Sequence, residues 1–200
     1  MLAAPTGRAA QRMSEVIGQA PAELKADAIE SPLGNFVADL QRSQATNLLG
    51  RPIDLGLMTR GGLRYIIPQG NITVGDVFEL MPFENELLVL TLSGETVEKL
   101  FQFGASKKIL ALSNATFTIQ NDQAANITIG GKPFNKEQTY TLAISDYLAN
   151  GGDNLVFLKE AIKTEKAGIL LRDAIIKHIQ QLTAQGKPVE ARVEGRVKVL

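Results

Sequence analysis

Three short stretches of this sequence carry side chains whose type and spacing could do chemistry. The first, Ser145–Asn154 (SDYLANGGDN), sets an aromatic ring (Tyr147), a glycine pair (Gly151, Gly152) and a carboxylate (Asp153) on one short loop. A glycine pair lets the main chain bend sharply and pass close to another group. Ring and acid together offer a flat apolar face beside an acceptor for hydroxyls. The second, Thr59–Arg64 (TRGGLR), places Arg60 and Arg64 around Gly61 and Gly62 at the end of an apolar run, the make-up of an anion-binding loop. The third, Pro82–Asn85 (PFEN), holds Phe83 between a proline and two polar residues, an odd place for a core phenylalanine. Each has a plain alternative. Tyr147 could cap the core over a tight turn, the commoner use of loop tyrosines and glycines. The arginines could be surface ion-pair partners worth under about 1 kcal/mol.

Composition narrows the chemistry. The 200 residues contain no cysteine and a single histidine, His178. Disulfides, thiolate metal sites, a cysteine nucleophile and any centre needing several imidazoles are thereby excluded. His178 lies beside the apolar stripe of a long predicted helix, with no second ligand or nucleophile next to it, and reads as structural. Lys+Arg and Asp+Glu both number 21, so no sequence-wide basic field exists for a nucleic-acid polymer or an anionic membrane. No apolar run reaches the roughly 18 residues of a membrane span. The opening MLAAPTGRAA lacks the apolar core of a signal peptide, which fits either a cytosolic start or a chain from which a leader has been removed.

The elements that must position these loops can be read in order. Residues 1–11 read as a flexible tail and 12–200 as the folded domain. Val16 and Ile17 suggest an edge strand, and 19–30 a loop with a helical turn. Ser31-Pro32 is a helix start, after which Leu33, Phe36, Val37, Leu40 and Ala45 trace an apolar face. Asn35 and Asp39, four apart on that helix, read as solvated or as capping a neighbouring loop. Ile53–Met58 is a short strand leading into TRGGLR; Gln69-Gly70-Asn71 is a turn; Val77, Phe78 and Leu80 mark a short helix. Leu87–Leu92 is a strong strand and Ser93–Phe103 a capped helix facing inward through Val97, Leu100 and Phe101. Residues 116–119 and 127–129 form a hairpin about Asn121-Asp122, and Tyr140–Ile144 alternates as a buried strand into SDYLANGGDN. A long helix is expected from about Gly168 to Gln185 and a hairpin or edge strand over Val189–Leu200. Hairpins mixed with helices favour an α+β fold with mixed or antiparallel sheets over a doubly wound one. Three Asn-x-Thr triplets, at Asn71, Asn114 and Asn126, read as chance.

The order and content of TRGGLR, PFEN and DYLANGGD resemble the C-terminal, substrate-binding domain of the 5′-nucleotidase and UDP-sugar hydrolase family. Glu30–Asp39 (ESPLGNFVAD) is similar to that family's opening helix, and Ile72–Val77 (ITVGDV) to the segment before its proline-phenylalanine turn. Together these cover about residues 30–160. The resemblance implies a mixed-sheet domain with α/β/β/α layers and a nucleoside or nucleotide as ligand. It implies that Phe83 and Tyr147 hold the base between two rings, that Asn85 contacts the base, and that Asp153, closing Gly151-Gly152, binds the ribose. It also implies that Arg64, ending Gly61-Gly62-Leu63-Arg64, contacts ribose or phosphate.

Departures from the family pattern carry information too. Its enzymes have a metallophosphatase domain whose Asp, Asn and His residues hold two metal ions, for which this stretch has neither room nor histidines. No cofactor is therefore expected on this chain, and divalent metals are expected in a partner metallophosphatase. The further phosphate-binding arginines that often precede the opening helix are missing: AELKADAIES offers only Lys25, although Arg60 adds one positive charge. The leading expectation is a nucleotide-binding subunit, the substrate half of a split, periplasmic or otherwise exported 5′-nucleotidase. The alternatives are a non-catalytic interaction domain that kept the fold and lost the ligand, and a metal-free hydrolase pairing Asp153 with His178.

Overall fold

The computed structural model describes residues 7–200. The part of the expected tail at residues 1–6 lies outside the described residues, whereas Gly7–Met13 forms a helix, α1. Its sequence, GRAAQRM, has almost no apolar periodicity, so tertiary contact with the helix at Val74–Leu80 decides its state. β1 (Val16–Ala20) follows. Residues 21–30 run extended instead of taking the expected helical turn, bridged at Leu24 to Ile67.

Ser31 caps α2 (Pro32–Leu49), its Oγ accepting from Gly34 N, with proline at the first helical position and Gly50 in the left-handed region closing it. The expected apolar face is buried, and so are Asn35, Gln41 and Gln44, because α2 packs on strands, on a later helix and on the C-terminal segment. β2 (Leu55–Thr59) ends at the TRGGLR loop. Gly70 and Asn71, read as a turn, belong to β3 (Gly70–Thr73), where they pair with Ala20 and Gln19. A Thr73/Asp76 capping box starts α3 (Val74–Leu80). β4 (Glu86–Ser93) and α4 (Gly94–Lys107), capped by Ser93, match expectation. β5 (Leu110–Ser113), β6 (Ala115–Gln120), β7 (Gln123–Ile129) and β8 (Lys132–Pro133) follow. The β6–β7 hairpin turns at Asn121 and Asp122, both at positive φ as a two-residue turn requires. β9 (Thr139–Ser145) runs into α5 (Asp146–Ala149), then β10 (Lys163–Leu170), α6 (Leu171–Ala184) and β11 (Val197–Val199).

The five-stranded sheet has the order β10-β4-β9-β2-β5 and is antiparallel except for β2 against β9. α2 packs on one face and contacts α6, while α4 packs against β4 and β9 on the other and against β6 and β7 of a second sheet, ordered β11-β6-β7-β8. Phe101 of α4 meets Phe117 of β6 edge-on at 5.4 Å between centroids, joining the two sheets in one apolar core. This is the mixed-sheet α+β architecture the sequence implied.

One expectation is corrected and another is narrowed. The helix expected from Gly168 starts at Leu171, and the residues before it are edge strand β10. Its polar KTEKAG pattern hides a strand because it is held chiefly by main-chain pairing to β4 and by exposed ion pairs such as Lys166–Glu86, with only Ala167 and Ile169 packing into the core. Of the hairpin or edge strand expected over Val189–Leu200, the edge strand forms: Val197–Val199 (β11) pairs parallel to β6, and the residues before it are extended.

That extended segment is latched to α2. Glu30 accepts from Asn35 Nδ2 and Glu194 N at 2.9 and 2.7 Å and from Val197 N at 3.2 Å, and Asn35 Nδ2 also donates to the Arg192 carbonyl. Arg196 forks onto Asp39 at 2.8 and 2.7 Å. Asn35, 1% exposed, and Asp39 thus serve a neighbouring segment, one of the two roles read for them. Burial works to raise the Glu30 pKa, but the donors from Glu194, Asn35 and Val197 outweigh it and hold the carboxyl below its ordinary 4.5. A carboxyl with a depressed folded-state pKa contributes stability above its unfolded value and loses it as pH falls through the folded one. Glu30→Gln should therefore lower the unfolding midpoint at pH 7 and flatten the loss of stability between pH 5 and pH 3, read by thermal melts across that range.

Candidate functional site

The register Leu87↔Ser145 between β4 and β9 puts two of the three loops side by side. PFEN immediately precedes β4 and DYLANGGD immediately follows β9, so antiparallel pairing brings both to the same end of the sheet. β2, parallel to β9 through Leu55↔Leu142 and Gly56↔Ala143, delivers TRGGLR to that end as well. Strand ends converge there because the strands are apolar and buried while the loops carry the polar groups.

Asp153 is the junction. Its Oδ2 accepts from Thr59 Oγ1 at 2.6 Å and its Oδ1 from the Tyr147 hydroxyl at 3.0 Å. Asp153 is itself at φ 52°, in the left-handed region that aspartate tolerates better than most residues. A carboxylate has about four lone-pair directions, so two acceptor positions are left for a ligand's hydroxyls. Gly61 lies alongside: a Cβ built there would be 3.6 Å from Asp153 Oδ2, and its absence leaves that edge of the carboxylate open.

The Tyr147 ring is fixed on the glycine pair. A Cβ on Gly152 would fall 2.5–2.7 Å from three ring carbons, so only glycine lets the ring lie flat on the backbone, and Gly151, at φ 92°, makes the bend. The ring does not cap the core: Tyr147 is 52% exposed and Phe83 38%. Tyr147 and Phe83 make no ring-on-ring contact with each other among the described residues. Two exposed rings at one sheet end, one held rigidly, can stack on a flat aromatic ligand.

Arg60 and Arg64 are exposed on the loop that starts at Thr59. Their backbones are fixed by Arg60 N to Ile109 O and Arg64 N to Leu80 O, both at 2.9 Å. Among the described residues neither guanidinium has a hydrogen-bond or ion-pair partner, so the surface ion pairs read as their alternative do not form. Gly62 faces Met58, whose Cε would meet a Cβ at 2.1 Å. Asn85 anchors its turn by accepting from Leu171 N at 2.8 Å. Lys25, the one cation before the opening helix, is an exposed partner of Glu23 at 2.7 Å.

His178 is elsewhere. Its ring packs edge-on against Phe36 at 5.7 Å, its Nδ1 lies 3.4 Å from Gln44 Nε2, and burial, partly offset by the Asp39 charge, lowers its pKa. It makes no contact with Asp153, whose partners are Thr59 and Tyr147. It lines a cleft of about 1120 Å³ between α2 and the C-terminal segment. Within that cleft Arg196 pairs with Asp39 and Glu194, so the cleft runs along the seam beneath the latch. Among the described residues no group of three or more His, Cys, Asp or Glu side chains is placed to hold a metal ion. No helix among them is long and apolar enough to cross a membrane.

Sequence reasoning missed two contributors. Thr59 read only as the first residue of TRGGLR, yet it orients Asp153. Arg172 looked like one more position along a helix, yet it is 9% exposed and touches the PFEN turn. A cation within an apolar stripe was the available signal.

The sequence matches the family described as 5′-nucleotidase, C-terminal domain, over residues 10–160, and the chain belongs to that family. It is 30% identical over 185 residues to the trifunctional nucleotide phosphoesterase protein YfkN of Bacillus subtilis, covering 84% of this chain and 12% of that protein. It is 32% identical over 184 residues to the cell wall protein Lmo0130 of Listeria monocytogenes, covering 84% of this chain and 23% of that one. Among solved structures, a 5′-nucleotidase precursor from Thermus thermophilus superposes with a TM-score of 0.84 at 28% identity, over 96% of this chain and 41% of that one. The chain therefore spans well under half the length of each.

Proposed function

We propose that this chain captures and orients a nucleoside or nucleotide for phosphate monoester hydrolysis in nucleotide catabolism, the hydrolysis being carried out by a metallophosphatase unit outside these 200 residues. The observation that carries the reading is the convergence at one sheet end of two exposed rings, a preoriented carboxylate and two unpaired guanidiniums. Phe83 and Tyr147 stack on the base, Asn85 reads its edge, Asp153 accepts from the ribose hydroxyls, and Arg64, with Arg60, meets phosphate oxygens. Gly61, Gly62, Gly151 and Gly152 keep the backbone low enough for the ligand to approach. Divalent metals are assigned to the partner unit, and the hydrolytic setting is supported by this chain's likeness to a protein named as a nucleotide phosphoesterase. A site outside the cytoplasm, periplasmic or at the cell surface, is proposed with it and is supported by the relative named as a cell wall protein.

Two stacking faces and one or two hydrogen bonds total about 4–6 kcal/mol, a dissociation constant from roughly millimolar to tens of micromolar. Weak capture is adequate where a partner's metals also hold the phosphate. Calorimetric titration with AMP and with adenosine should show binding in that range, with Phe83→Ala and Tyr147→Ala each weakening it by about tenfold. Absence of heat with every nucleotide tried would count for the second reading, an interaction domain that kept the fold without the ligand, and affinity in both variants equal to that of the unsubstituted protein would remove the two rings from the site. The missing arginines before α2 favour that second reading.

A further inference from the structure

We infer that Arg172 is a positioning residue for the nucleotide site: with Leu171 it forms a bracket at the start of α6 that holds the PFEN turn in the geometry at which Phe83 and Asn85 can both engage a base. The inference rests on the reading of Phe83 and Asn85 given above. Leu171 N donates to the Asn85 carbonyl at 2.8 Å, and Arg172 Nη1 donates to the Phe83 carbonyl at 3.4 Å. The two contacts grip the turn one residue to either side of Glu84. β10 is paired to β4 by Leu170↔Glu86, so the bracket is tied directly to the strand that the turn leads into.

Arg172 is well suited to this task and to little else. Its guanidinium carbon lies 4.1 Å from the centroid of Phe78 on α3, a cation–π contact that fixes the plane of the group between that helix and the turn. It is buried on α6 among Leu171, Ala174 and Ile175, with no acidic side chain paired to it. Its Nε is buried without a hydrogen-bond partner. A buried, unpaired guanidinium is costly to keep, and a helix needing only packing would carry a leucine there. The bond from Arg172 to the Phe83 carbonyl is long at 3.4 Å, so the turn is held by the bracket and not by that contact alone.

The test compares Arg172→Met, which keeps an apolar stem over Phe78 and removes every donor, with Arg172→Lys, which restores one donor and the charge. Hydrogen exchange by mass spectrometry over 82–86 is measured without ligand, and affinity for AMP and adenosine by calorimetry. Expected are faster exchange over 82–86 alone and roughly tenfold weaker binding in Arg172→Met, both substantially restored in Arg172→Lys. Unchanged exchange over 82–86 in a folded Arg172→Met protein overturns the bracket whether or not a nucleotide binds. Should the unsubstituted protein bind no nucleotide while exchange responds as expected, the bracket stands as a structural device and its role in ligand positioning is overturned together with the proposed function. Should Phe83→Ala lose affinity while Arg172→Met retains it, the proposed function stands and the positioning role falls. If Arg172→Met does not fold, Arg172→Gln, shorter and uncharged, takes its place with the same readings: faster exchange over 82–86 supports the bracket, and unchanged exchange there overturns it.

Discussion

Asp153→Ala is expected to weaken binding of AMP or adenosine by about 10- to 100-fold, the largest loss from any single contact at the site. A hydrogen bond to a charged group contributes about 1.5–3 kcal/mol, and Asp153 offers its two remaining acceptor positions to vicinal hydroxyls. The substitution also leaves the Thr59 hydroxyl, fully buried, without its acceptor and frees the Tyr147 ring from the bond that holds it. Base stacking and ribose recognition should thus fail together. The diagnostic is a comparison of ribose with 2′-deoxyribose. The unsubstituted protein should prefer adenosine to deoxyadenosine, and Asp153→Ala should bind both weakly and alike. Tyr147→Phe, which keeps the ring and loses only the hydroxyl, should fall between. Equal affinity of the unsubstituted protein for the two sugars would remove Asp153 from ribose recognition.

The largest effect on stability is expected at Gly56. It is the second residue of β2, paired with Ser113 on one side and Ala143 on the other, where α2 crosses the sheet. A Cβ there would sit 2.3 Å from the Ala38 carbonyl and 3.1 Å from both Arg42 Cβ and Ser113 Cβ. The first of these is backbone in a buried helix and cannot turn aside. Gly56→Ala should cost about 3 kcal/mol, the upper end of overpacking penalties, or prevent folding. Gly61→Ala, whose Cβ meets only Asp153 at ordinary contact distance, should unfold within about 0.5 kcal/mol of the unsubstituted protein. Urea denaturation of the pair reads the difference. A Gly56→Ala protein less than 1 kcal/mol destabilised would mean that α2 can shift off β2, and that the β2 end carrying Thr59 and Arg60 is held less firmly than its packing indicates.

Much of the architecture was legible because it is written in local, one-dimensional signals. Ser31-Pro32 before an apolar face, Ser93 before Val97 and Phe101, Asn121-Asp122 between two strand patterns, and the apolar runs of β4 and β9 each specify an element by capping, turn chemistry or periodicity. α1 and β10 were not legible, since neither has a pattern of its own. One is held by contact with α3 and the other by main-chain pairing to β4, and both forces come from residues distant in the sequence.

The same division runs through the site. Residue types alone nominated Phe83, Tyr147, Asp153, Arg60 and Arg64, because exposed rings on polar turns and cations beside glycine pairs are unusual locally. Only the tertiary structure decided that the three loops meet, through the registers Leu87↔Ser145 and Gly56↔Ala143. It also decided that Tyr147 lies on Gly152 in the open, not over the core, and that His178 belongs to a different face, against Phe36 and Gln44. Thr59 and Arg172 acquired their roles there as well. A hydroxyl or a guanidinium has no direction in a sequence; its direction is set by the strand or helix that carries it and by the partner that packing delivers within hydrogen-bond reach.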